Sequence, residues 1–352
     1  MVESKPAVGK KTLADNPLVA TLITPIKLPF LGEVPAYYFF LLGLFLLYIL
    51  VKNILLGLLA GALMVFIVAW EFYAGVKEGG LKSELKNTAL AILFALIVWF
   101  GAAWVLATPT PINAIVSCSM RPAYERGDLV FLKGGEIHTA YFNYSGLASE
   151  INSTAVVTWQ NESWEVNGSL VVYCSYANAK GILDVHCLDL MQAPEEFSEA
   201  HGPLKFTYGT CPRVFSPDNG TTTDTVCVKK TEFNGKTVAY DTGYDLIVYG
   251  PKPGDLYARV GDIVHRVRLA VNDSTGTIIY LTKGDNNPVF DLQAYDPSTH
   301  TGNSPILYSQ IRGHVFARLP FFGNLKLFIT PQVLTDPSSL AGCDSNFVEG
   351  SR

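Results

Sequence analysis

Residues 88–107 (TALAILFALIVWFGAAWVLA) run for 20 positions without a charged side chain. A helix of that length covers a hydrocarbon core about 30 Å thick. A buried helix of a soluble domain would show a polar stripe on its outward face, and this run has none. It is read as a membrane span. Upstream, 36–51 and 54–70 are apolar runs of 16 and 17 residues separated by Lys52-Asn53. Each is short for a span, yet Tyr37, Tyr38, Trp70 and Tyr73 stand at their ends as interfacial aromatics do. They form a helical hairpin that is either fully spanning or re-entrant.

In both cases parity puts segment 1–35 and loop 71–87 on the same side. Those two pieces hold Lys5, Lys10, Lys11, Lys27, Lys77, Lys82 and Lys86, against Lys52 alone at the hairpin tip. The positive-inside tendency makes them cytoplasmic, and the third span then delivers everything after residue 107 to the outside. The first apolar run begins too late for an ordinary cleaved signal peptide and acts as an anchor. Charge divides the same way. Of 26 Lys/Arg and 31 Asp/Glu, eight Lys and six acids precede Thr108, leaving 18 and 25 after it, or +2 and −7. With 49% apolar and 16% charged residues, the chain is neither disordered nor a basic nucleic-acid binder.

Two features agree with that orientation. Asn-x-Ser/Thr sequons begin at Asn143, Asn152, Asn161, Asn167, Asn219 and Asn272, and none precedes Thr108. They suit an N-glycosylated exterior, an archaeal surface or the lumen of the endoplasmic reticulum. All six cysteines, 118, 174, 187, 211, 227 and 343, lie there as well, where oxidation is permitted. Cys174, Cys187, Cys211 and Cys227 are expected to form two disulfides in any of three pairings. Their spacing lacks the close Cys pair of a zinc site, and no metal or cofactor is expected.

After the span, short β-prone runs recur between Gly, Pro and Asn/Asp turns, at 129–132, 171–173, 246–249, 263–267, 277–281 and 313–319. They predict a mainly β, antiparallel domain behind about three transmembrane helices. Residues 136–242 are richer in Ser, Thr, Asn and Tyr and hold five of the six sequons, so they read as a glycosylated, Cys-containing module inserted into that domain. The domain itself takes 108–135 and 243–329, and 330–352 is a polar tail.

Three stretches carry chemistry. In Ser117-Cys-Ser-Met-Arg-Pro122 a hydroxyl sits shortly after the third span, beside Met120 and a proline that fixes the turn. In Gly261-Asp-Ile-Val-His-Arg-Val267 the alternation of a strand points His265 to the face opposite Val264 and Arg266. In Leu281-Thr-Lys-Gly-Asp-Asn-Asn-Pro-Val-Phe-Asp291 one acid lies in a Gly-Asp-Asn-Asn turn with Asx capping and a second follows it. Each alone has an ordinary structural explanation.

Together and in this order the three resemble the signal peptidase I family, in its archaeal and endoplasmic-reticulum type with a histidine base. Arg126-Gly-Asp-Leu-Val130 and Leu319-Pro-Phe-Phe-Gly323 extend the resemblance, which covers 110–134 and 243–328 but neither the insert nor the hairpin. It implies Ser119 as nucleophile, His265 as general base, and Asp291 and Asp285 as the acids, with the oxyanion held by the Ser119 amide and the Ser117 hydroxyl. Which acid touches His265 stays open. Asp291 is favoured because Asp285 lies in the Gly-Asp-Asn turn, where backbone N–H groups compete for it. The family usually has Gly where Cys118 stands. A left-handed conformation there would strain a residue with a Cβ; otherwise Cys118 is a small apolar filler, or the nucleophile itself.

The implied activity is a membrane-bound serine endopeptidase that cuts signal peptides from preproteins after small residues at −1 and −3. Ile115, Met120 and Ile247 are candidate walls of the pockets for those residues. The implied partners are preprotein signal peptides, the lipid bilayer and the translocation channel, with no nucleic acid. The alternative is a non-catalytic membrane-anchored glycoprotein that binds partners through 136–242.

Overall fold

The computed structural model describes residues 17–28, 32–51, 54–216 and 221–329. Lys5, Lys10, Lys11, the Lys52-Asn53 tip, Asn219, Cys343 and the 330–352 tail lie outside them. The described chain is mixed helix and sheet with antiparallel sheets, and it divides into two compact units, one mainly of residues up to Ala95 and one from Leu96 through Leu327.

In the first unit, α1 (Pro17–Ile23) leads into a hairpin of β1 (Pro25–Leu28) and β2 (Gly32–Pro35). Helix α2 (Ala36–Val51) follows directly and packs on α3 (Ile54–Gly79). The hydroxyls of Tyr37 and Tyr38 both donate to the Glu71 carboxylate, the second at 3.1 Å. Tyr37 is buried by that contact instead of lying open at a helix end. The stretch 71–87, expected as a loop, is helical except at Gly80: α3 continues to Gly79 and α4 runs Leu81–Val105. Glu, Lys, Leu and Ala favour helix throughout it, so only the glycine pair interrupts, with Gly80 at φ +76°. Lys77 in the last turn of α3 and Glu84 in the first turn of α4 suit the dipoles of those ends. Leu55–Gly79 and Leu81–Val105 are long and apolar enough to cross a membrane, whereas the apolar stretch Ala36–Tyr48 is shorter.

The second unit opens with β3 (Ile112–Ala114), β4 (Leu129–Lys133) and β5 (Ala140–Asn143). Then come β6 (Thr154–Trp159), β7 (Glu162–Asn167), α5 (Leu170–Ala179), α6 (Val185–Gln192), β8 (Phe197–His201), β9 (Leu204–Ser216), β10 (Thr221–Phe233) and β11 (Lys236–Val238). It closes with β12 (Leu246–Tyr249), β13 (Ile263–Asn272), β14 (Ile278–Lys283), the short β15 (Tyr295–Asp296), β16 (Thr301–Gly302) and β17 (Ile306–Leu307), then β18 (Ile311–Leu319) and α7 (Asn324–Ile329).

One sheet has eight strands in the order β17-β14-β13-β12-β18-β4-β3, with β5 added parallel to β13. The other has six, β11-β10-β9-β8-β6-β7, all drawn from residues 154–238. Strands β4, β12, β13, β14 and β18 arise where β-branched and aromatic residues cluster between turns. The run 171–173 does not form a strand. Ser169 caps α5 by accepting the Val172 N–H at 3.2 Å, and the cap and burial override the β-propensity of Val171 and Val172.

A single apolar cluster joins the two sheets. Val157, Phe197, Phe206 and Tyr208 of the six-stranded sheet pack with Leu269, Val271, Leu281, Phe290 and Leu292. Fully burying each such side chain contributes roughly 1.5–3 kcal/mol, so this shared core is a main source of order for the turns after β14.

Candidate active site

The connection between β3 and β4 carries Ser119. Its path is set by backbone bonds: Ile115 N–H to Asp128 O at 2.9 Å, Gly127 N–H to Ile115 O at 2.8 Å and Arg121 N–H to Cys118 O at 3.2 Å. The Arg126 guanidinium adds a bond to Val116 O at 3.1 Å. Asp128 is fully buried and paired with Arg318 at 2.8 Å, so the Arg-Gly-Asp triplet is a structural turn with no carboxylate to present. On the other flank Gly284 passes so close that a Cβ there would lie 2.7 Å from Ser119 O, which excludes any larger residue.

Strand β13 brings His265 to this turn. Its Nε2 lies 2.9 Å from Ser119 Oγ, and its Nδ1 lies 2.8 and 2.7 Å from the two oxygens of Asp291. With a carboxylate facing Nδ1, the tautomer that fits carries its proton there and turns the Nε2 lone pair toward the serine. Ser119, His265 and Asp291 are only 3%, 4% and 4% exposed, and in such a site hydrogen bonds meet little competition from water. Ser117 Oγ stands 3.1 Å from Ser119 Oγ.

Asp291 begins a short turn after β14 and accepts from two further hydroxyls, Tyr249 at 2.8 Å and Thr282. An ionised carboxylate is acceptor-only, and this one is met by donors alone. Burial, reinforced by the Asp291 charge, pushes the Tyr249 hydroxyl well above its ordinary range, so it stays a donor at working pH. Asp285 faces elsewhere. It bridges Arg266 at 2.7 Å and Arg268 at 2.8 Å, both arginines being buried. Burial disfavours the Arg266 charge, yet the Asp285 hydrogen bond and charge raise its pKa overall; at Arg268 burial wins and lowers it.

The candidate pocket walls are not on an open surface. Ile115, Met120 and Ile247 are 2%, 0% and 0% exposed; Ile115 and Ile247 pack in apolar clusters, and Met120 lies in the turn beside Ser119. Cys118 is buried and disulfide-bonded and has a negative φ, so it is neither a free thiol nor a strained substitute for glycine. Of the possible pairings, the structure has Cys174–Cys187 and Cys211–Cys227. Asn143, Asn152, Asn161 and Asn167 are exposed, while Asn272 is half-buried with its amide 3.4 Å from the Asn143 side chain.

Sequence reasoning missed Tyr249, Thr282 and Asn303, whose Nδ2 donates to Asp291 O at 2.8 Å. Thr282 lies within the third motif, Tyr249 is marked only by its β-run, and nothing in the local pattern marks Asn303.

No family model matches the chain. Curated relatives do. The signal peptidase complex catalytic subunit sec11 of Pyrenophora tritici-repentis is 42% identical over 59 residues, 17% of this chain and 34% of that protein. Those of Colletotrichum graminicola and Tuber melanosporum are 46% identical over 50 residues and 40% over 57, covering 14% and 16% of this chain and 29% and 31% of theirs. The chain thus spans about a third of the length of the relatives it matches, and over that stretch it is similar to catalytic subunits of the signal peptidase complex.

Proposed function

We propose that the protein is a membrane-bound serine endopeptidase that removes signal peptides from exported preproteins. The observation that carries this reading is the unbroken relay from Ser119 Oγ through His265 to Asp291, at 2.9 and 2.7 Å. Similarity to signal peptidase complex catalytic subunits supports it from an independent side.

In this mechanism Ser119 Oγ attacks the carbonyl carbon at the end of the signal peptide and its proton passes to His265 Nε2. Asp291 stabilises the imidazolium and holds its orientation. The Ser119 amide and the Ser117 hydroxyl receive the oxyanion. His265 then protonates the leaving amine, and the signal peptide stays esterified to Ser119 until water, deprotonated by the same imidazole, releases it. Small residues are preferred at −1 and −3. The substrate lies extended along β3, the terminal strand of its sheet among the described residues, adding a strand to that edge.

The apolar helices anchor the enzyme with residues after the third span on the extracytoplasmic side, where sequons are glycosylated and cysteines oxidise. No residue of α4 is buried by described protein, as suits a helix whose surroundings are lipid. Anchoring near the translocation channel confines enzyme and substrate to one surface and raises their effective concentration. Wild-type and Ser119→Ala protein in detergent, given a preprotein with small residues before the cut, test the reading. Wild type should cleave and Ser119→Ala should not; cleavage by Ser119→Ala would overturn it.

A further inference from the structure

Residues 284–290 cross from β14 to the turn bearing Asp291 without regular structure, so their placement depends on what they lean against. Much of that support comes from 136–242.

At the nucleophile end the link is Asn286. Its backbone N–H donates to Ser119 O at 2.7 Å and its Nδ2 to Cys118 O at 3.2 Å. The same side chain pairs with the backbone of Val214 in β9, accepting from its N–H at 2.9 Å and donating to its carbonyl at 3.0 Å. Arg213 Nε reaches Asn286 O at 3.2 Å, and the Val228 N–H of β10 reaches Pro288 O at 2.9 Å. Asn286 therefore acts as a surrogate strand segment between the β9–β10 hairpin and the serine turn.

At the acid end the link is Gln293, fully buried. Its Oε1 accepts the Phe290 N–H at 2.9 Å and its Nε2 donates to Glu199 of β8 at 2.7 Å, closing a bracket around Asp291. Glu199, also fully buried, is held in turn by the Leu170 N–H at 3.0 Å, by His201 Nε2 at 2.6 Å and by the Tyr208 hydroxyl. A buried carboxyl group held by four hydrogen bonds does not drift, because losing any one leaves a buried polar atom without its partner.

We propose that 136–242 is a positioning element of the catalytic site, which sets Ser119 through Asn286 and Asp291 through Glu199 and Gln293. The inference rests on the peptidase reading above. Its physical basis is the tolerance of such relays, in which a displacement of about 1 Å costs about 100-fold in rate.

The test uses full-length wild type, Gln293→Met, Glu199→Gln, Ser119→Ala and the insert-surface control Leu183→Ser, each in detergent with one small-residue peptide substrate. Gln293→Met should lower kcat by about tenfold or more with KM within about twofold, while unfolding above assay temperature. A loosened Asp291 supports the imidazolium less, so the acid limb of the kcat profile should move to lower pH; a merely destabilising change would not move it. Leu183→Ser should match wild type. If Gln293→Met does not fold, Glu199→Gln, which keeps the shape and one acceptor, carries the same expectation. Wild-type kcat and an unshifted profile in the folded variant would overturn the brace alone. An inactive wild type, or an active Ser119→Ala, would overturn both the brace and the peptidase reading.

Discussion

The Asp291 carboxylate meets His265 Nδ1 through both of its oxygens, at 2.8 and 2.7 Å, while Asp285, six residues earlier, is held by Arg266 and Arg268. Two acids of one loop are thereby separated into a group on the imidazole and a group in an ion-pair hub.

That separation predicts different losses. Asp291→Asn should lower kcat by roughly 10³–10⁴-fold with little change in melting, because the ring loses its tautomer and its support. Asp285→Ala takes the shared carboxylate from two buried guanidinium groups and should cost about 3–5 kcal/mol of stability. Turnover and chemical denaturation of both variants check the assignment; a folded, inactive Asp285→Ala beside an active Asp291→Asn reverses it.

On the proposed mechanism, Ser117→Ala should lower kcat by about 10²–10³-fold with KM nearly unchanged, because one of the two oxyanion donors is removed. Steady-state kinetics on one peptide substrate decides this, and an unaltered kcat removes Ser117 from the mechanism.

Acid stability should depend on Asp273 in the β13–β14 turn. Hydrogen bonds from Thr275, Ala148 and Thr277 bring its pKa down from 3.8 to about 2. A depressed folded-state pKa gives stability that is full above the unfolded value and is lost as pH falls toward the folded one. The loss attributable to Asp273 therefore falls between about pH 4 and pH 2. Asp273→Asn should be less stable at neutral pH and show a shallower decline across that window in denaturant titrations.

Glycan occupancy should follow exposure. Single Gln substitutions at Asn143, Asn152, Asn161 and Asn167 should each remove one mass step from protein made in a glycosylating host. Asn272→Gln should remove none, since its amide is half-buried against Asn143. Intact-mass spectrometry reads this directly, and a glycan on Asn272 would show that the strand pairing opens.

Much of this was legible in the chain because the signals were local. The uncharged 88–107 run, the β-runs of β4, β12 and β18, and the Ser119 and His265 motifs depend on neighbours a few residues away. The preference for Asp291 came from local turn chemistry, though the reason Asp285 is occupied is Arg266 and Arg268 on another strand. What was not legible depends on distant partners. Val171 and Val172 read as strand until a cap at Ser169 and the carboxylate of Glu199 make them a helix start. Ile115, Met120 and Ile247 are buried, and apolar residues near a site read alike in sequence whether they face a ligand or the core.

Phe206 of β9 packs its ring 4.8 Å from that of Phe290, the residue before Asp291. During synthesis Ser119 is made long before either ring, and the acid comes last. An unfinished chain would carry the serine with neither its partner nor the aromatic seat for that partner. The serine therefore gains its full set of partners only once the ribosome has supplied the segment around Asp291.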